Sequence, residues 1–63
     1  MPIVQISLLS GRTPEKKEEL FKNVTNAIAD TLQIPKERVH IVLHEVPKEN
    51  IGGGGIPLSK ADQ

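Results

Sequence analysis

Two changes of apolar period within 46 residues limit what this chain can fold into. From Ile3 to Leu9 the side chains alternate, with Val4, Ile6 and Leu8 on one face and Ile3, Gln5, Ser7 and Leu9 on the other. That period of two specifies a strand with one strongly apolar face and one mixed face. The period then changes to three and four: Leu20, Phe21, Val24, Ala27, Ile28 and Leu32 recur on one side, while Lys16, Glu19, Lys22, Asn23, Asn26 and Asp30 fall largely on the other. From Val39 to Val46 it returns to two, placing Val39, Ile41 and Leu43 on one face and His40, Val42, His44 and Val46 on the other. A strand, a helix of about five turns and a second strand are expected to form one right-handed parallel βαβ unit. The fold class is therefore α/β, with residues 1–63 as a single domain.

Turn chemistry sets the boundaries. Ser10-Gly11-Arg12 breaks the first strand, Thr13 can cap a helix, and Pro14 suits the first helical position, where its missing N–H would be unpaired anyway. Glu15, Glu18 and Glu19 sit near the positive end of the helix dipole. The helix is expected over Pro14 to Leu32 and must end by Ile34-Pro35, because proline disfavours helical geometry in the residue before it. Lys36-Glu37-Arg38 is a short polar connection. After the second strand, the glycine run at 52–55 between Ile51 and Ile56 predicts a glycine-rich hairpin or loop, with Ser59 to Gln63 frayed.

This arrangement cannot finish itself. A two-stranded parallel sheet covered by one helix leaves two open edges and a bare face, whereas parallel sheets are normally covered on both. Ile3, Leu9, Val42 and Val46 fall on that bare face. A chain of 63 residues buries only about 60% of its unfolded surface and is marginal alone. It has no Cys for disulfides, and His40 and His44 are its only imidazoles, roughly 13 Å apart along a strand and too far apart to share a metal ion. Self-association is the remaining supplement. Eight basic and eight acidic side chains cancel, and Phe21 is the only aromatic ring, so neither nucleic acid nor a membrane surface is an expected partner. No apolar run could span a bilayer and no secretory leader pattern is present, which predicts a cytoplasmic protein.

Two residues stand out chemically. Proline is at home as the first residue of a strand, but Pro2 directly follows the initiator methionine, and removal of Met1 would leave it an N-terminal secondary amine. Such α-amino groups titrate at roughly 7.7 to 8.0 in model peptides, within reach of acid–base work near neutral pH. Arg12 lies beyond the other end of the strand, up to roughly 33 Å away when extended, so one chain cannot easily bring the two together, whereas two antiparallel neighbours could. The glycine run is not followed by the Lys-Ser/Thr pair or helix signal of a phosphate loop.

Pro2 opening a strand over Ile3 to Leu9, Gly11-Arg12-Thr13 leading into a helix, a strand from Val39 and a late glycine run together resemble the 4-oxalocrotonate tautomerase family across essentially the whole chain. The resemblance implies a βαβ subunit in a homohexamer, a trimer of dimers, with no metal or organic cofactor. It also implies an isomerase that moves a proton between an enol oxygen and a carbon of an unsaturated 2-oxo acid such as 2-hydroxymuconate, in aromatic hydrocarbon catabolism. Pro2 would be the catalytic acid–base and Arg12 the substrate-carboxylate anchor, with His40, Leu9 and Ile51 also binding substrate. At His40 the best-known members carry a second arginine, and at Ile51 an aromatic wall is frequent, so this pocket is expected to differ in charge and shape. Two other readings are compatible with the same fold. Relatives that hydrate or dehalogenate unsaturated acids use a carboxylate after the second strand, where this chain has Gly53 with Glu49 nearby, and a non-catalytic oligomeric scaffold would require only the fold.

Overall fold

A computed structural model describes residues 1–61, and Asp62 and Gln63 lie outside the described residues. Strand β1 (Ile3–Leu9) and strand β2 (His40–Val46) pair in parallel, in register from Ile3 opposite His40 to Leu9 opposite Val46. The ladder is extended at both ends: the His40 N–H donates to the Pro2 carbonyl and the Ser10 N–H to the Val46 carbonyl, each at 3.1 Å. Between them runs helix α1 (Pro14–Leu32). Its beginning is as expected, with the Lys16 N–H donating to Thr13 Oγ1 at 3.2 Å and Pro14 in the first turn. Its end is closed by Gln33 in the left-handed region (φ 58°), a position usually given to glycine. The N–H groups of Gln33 and Ile34 both donate to the Ala29 carbonyl, satisfying a helix-end acceptor before Pro35 turns the chain.

The covered face of the sheet is identified by an ion pair. Lys17 Nζ lies 3.0 Å from Glu45 Oε2, and Glu45 shares its face of β2 with Ile41 and Leu43. Helix α1 therefore packs on the side of Val4, Ile6, Leu8, Ile41 and Leu43, all half-buried, with Leu20, Val24, Ile28 and Ala29 facing them. The expected apolar stripe of the helix is only partly used, since Phe21, Ala27 and Leu32 are exposed. On the opposite face Ile3 is 60% and Val42 43% exposed, as the unpaired side of a two-layer unit requires.

Three details differ from the sequence expectation. The second strand begins at His40 rather than Val39, because Lys36–Arg38 forms a 3₁₀ turn whose carbonyl at Lys36 accepts the Val39 N–H. A second 3₁₀ turn, Lys48–Asn50, follows β2. The glycine run does form a hairpin, β3 (Gly52–Gly53) against β4 (Ile56–Pro57), but Ser59 to Ala61 are not frayed: they belong to a short helix, α2 (Leu58–Ala61). The hairpin has a two-residue connection with Gly54 at φ 61° and Gly55 at φ 84°, the pair of positive angles a type I′ turn demands.

These elements do not close into a ball. Among the described residues Ala29 alone is buried. The radius of gyration is 14.9 Å, against about 11 Å for a compact domain of this length. The accessible surface is 4913 Å², against roughly 4,000 Å² for a compact chain of this mass. One face of the sheet and an outstretched C-terminal arm are left in water. Among the described residues no helix is long and apolar enough to cross a membrane.

Candidate active site

Because the two strands are parallel, the residues of interest fall into two groups at opposite ends of the sheet. Pro2 stands at the start of β1, half-buried, with its carbonyl tied to the backbone of His40. A proline fits here locally, since nothing in the ladder requires an N–H from this position. Met1 in front of it is 76% exposed and extends past the sheet. The His40 side chain is exposed and, by the alternation of β2, lies on the bare face, while the Pro2 ring shares the parity of the helix-covered Val4 and Ile6.

The second group lies about 20 Å away along a seven-residue strand. Leu9, the last residue of β1, is half-buried opposite Val46. Gly11 then turns the chain with φ 115°, which a side chain would strain, and delivers Arg12 beside the first turn of α1. Arg12 lines a cavity of about 170 Å³ with Leu8, Lys16, Lys17 and Leu20. Ile51 belongs to the C-terminal arm that leaves from the same end of the sheet; it is 42% exposed, and its carbonyl accepts the Leu58 N–H at 2.7 Å. It lines a depression of about 320 Å³ formed by residues 49–57, together with Glu49. A larger depression of about 370 Å³ runs along the seam of α1 and β2 beside Phe21 and Leu43, and includes none of the five candidate residues.

Within one protomer the structure therefore places Pro2 beside His40, and Leu9 and Arg12 at the other end of the strands where the arm with Ile51 departs; it does not bring Pro2 to Arg12. The cationic lining of the Arg12 cavity is the part that sequence reasoning missed: Lys16 and Leu20 stand four apart on one face of α1, but Arg12 precedes the helix, and only the turn at Gly11 brings it to them.

With this geometry in view, similarity to known proteins is informative. The sequence model of the family described as tautomerase enzyme matches residues 2–61. A 2-hydroxymuconate tautomerase from Pseudomonas sp. (strain CF600) is 47% identical over 60 residues, covering 95% of each chain. Among solved structures, a 4-oxalocrotonate tautomerase isozyme from Methylibium petroleiphilum superposes with a TM-score of 0.89 at 40% identity, covering 98% of this chain and 100% of that one. A heterohexameric 4-oxalocrotonate tautomerase from Chloroflexus aurantiacus J-10-fl gives 0.88 at 32% identity, with coverages of 95% and 97%. Fold, length and the order of the elements agree with these relatives from end to end, and the chain belongs to the tautomerase family of isomerases, with the fold of the 4-oxalocrotonate tautomerases.

Proposed function

We propose that this protein is a 2-hydroxymuconate-type tautomerase whose active site is completed between copies of the chain, with Pro2 of one protomer and Arg12 of another. The observation that carries this reading is the separation of Pro2 and Arg12 to opposite ends of β1, in a chain whose sheet face and arm are left unpacked. Antiparallel packing of two copies sets the start of one β1 against the end of the other. The likeness to a heterohexameric relative supports a hexamer as the working assembly. The cytoplasm is the proposed site of action.

The chemistry follows from the residues. Removal of the exposed Met1 turns Pro2 from an amide into a secondary amine with a basic lone pair. A neutral amine in an apolar, cation-bordered pocket is favoured over its ammonium by both desolvation and repulsion. It takes the proton of the substrate's 2-hydroxyl. As that O–H bond breaks, the C2–O bond becomes a carbonyl, the conjugated electrons shift along the chain, and the ammonium returns the proton to a chain carbon. One proton leaves oxygen and one arrives at carbon, so no net acid or base is consumed. Arg12 holds a substrate carboxylate, to which a guanidinium fork is matched. Leu9 and Ile51 supply apolar wall, and His40, whose side chain is on the opposite face of the sheet from the Pro2 ring, is a polar substrate contact offered on the bare face to a neighbouring copy.

The test is ultraviolet-monitored ketonisation of 2-hydroxymuconate by protein whose intact mass lacks one methionine, beside Pro2→Ala. Loss of the positioned acid–base should lower the rate by roughly 100-fold or more. A folded variant with undiminished rate would remove the proposal's centre.

A further inference from the structure

The cavity at Arg12 carries more positive charge than a single carboxylate anchor needs. Its walls are Leu8 from β1 and Leu20 from α1; its other three lining residues, Arg12, Lys16 and Lys17, are all cations, and no carboxylate lines it. The three are differently committed. Lys17, 28% exposed, is held by Glu45 at 3.0 Å, so its charge is balanced across the helix–sheet seam. Lys16 reaches Glu19 only at 3.4 Å, with the side chains 71% and 62% exposed. An exposed pair of that kind contributes little and is easily exchanged for a better anion. Arg12 has no carboxylate partner among the described residues.

Two cations without a firm partner therefore border one small cavity that has an apolar floor. An ionised carboxylate has about four lone-pair sites; a bidentate guanidinium takes two and leaves two for another donor. Lys16, in the first turn of α1, lines the same cavity as Arg12 and is the side chain able to supply that donor without breaking the Lys17–Glu45 strut.

We infer that Lys16 is a second carboxylate-binding residue, acting with Arg12 to hold the terminal carboxylate of a diacid substrate while the other end lies at a neighbouring protomer's Pro2. The inference rests on the proposed role of Arg12 and adds a second cation to that anchor. Lys16 changes affinity for that group and not the proton transfer itself, so its removal raises KM and leaves kcat within about twofold.

The test is calorimetric titration of the assembled protein with muconate, hexa-2,4-dienedioate, which lacks the 2-hydroxyl and cannot turn over. Lys16→Gln, which keeps length and loses charge, should weaken binding roughly two- to fivefold, the range for a partly exposed charge pair. Lys16→Arg should restore it, and Lys22→Gln, an equal loss of charge elsewhere on α1, should change nothing. Lys16→Gln behaving like Lys22→Gln, or Lys16→Arg failing to restore affinity, would overturn the inference. If Arg12→Gln weakens binding while Lys16→Gln does not, only the role of Lys16 falls. If neither matters, or if muconate does not bind, the carboxylate anchor at Arg12 falls with it.

Discussion

The two faces of the sheet come from the same two strands and differ in every respect that matters. One face carries Val4, Ile6, Leu8, Ile41 and Leu43 beneath α1 and is half-buried within a single chain. The other exposes Ile3 and Val42, 60% and 43%, with Gln5, Ser7, His40 and His44 among them, while Leu9 and Val46 at its far end are half-buried. Both are read in period two from the same strands, but the covered face is almost wholly aliphatic whereas half of the bare face is polar. The covered face makes the protomer; the bare face makes the protomer insufficient. The catalytic proposal inherits that division, because the residues that would bind and transform the substrate are also split between two ends that one chain cannot join.

The largest expected effect breaks the bare face. Val42→Asp would bury an unpaired charge wherever a second copy covers this face, at a cost of several kcal/mol. Light scattering should show the assembly falling to smaller species, with loss of tautomerase activity; a variant of unchanged mass would mean that this face is not covered. Next comes the covered face. Leu43→Ala should reduce stability by about 2 kcal/mol, the low end for a leucine truncation because the site is only half-buried, and should leave assembly intact at a fixed protomer concentration. Chemical denaturation at constant protein concentration checks it, and an effect larger than that of Val42→Asp would invert the comparison. The smallest change, Glu45→Gln, loosens the Lys17 strut and should cost less than about 1 kcal/mol.

The βαβ unit was legible because its signal is redundant: periodicity, the Thr13 cap, Pro14 and Pro35 all indicate the same boundaries, and the helix limits agree with the expectation. The faces of both strands were legible for the same reason. Short elements were not. The 3₁₀ turns at Lys36–Arg38 and Lys48–Asn50 are three residues each, and α2 is four, too short for any period to register. Gln33 in the left-handed region gave no signal, because its composition does not announce what a glycine would have. At the site, Pro2 and Arg12 drew attention by chemistry and by resemblance, whereas Lys16 looked like an ordinary solvated lysine until the turn at Gly11 brought Arg12 beside it. Chain topology decides which charges share a cavity, and residue spacing only hints at it.

The most direct measurement mixes two inactive proteins. Pro2→Ala retains Arg12, and Arg12→Gln retains Pro2; each alone should turn over 2-hydroxymuconate poorly. Dissociated, combined in equal amounts and reassembled, random association would place an intact Pro2 and an intact Arg12 from different chains at about a quarter of the sites. Recovery of activity toward that fraction is the predicted result. A mixture no more active than its separate components, with mixed assemblies confirmed by mass, would contradict a site shared between protomers.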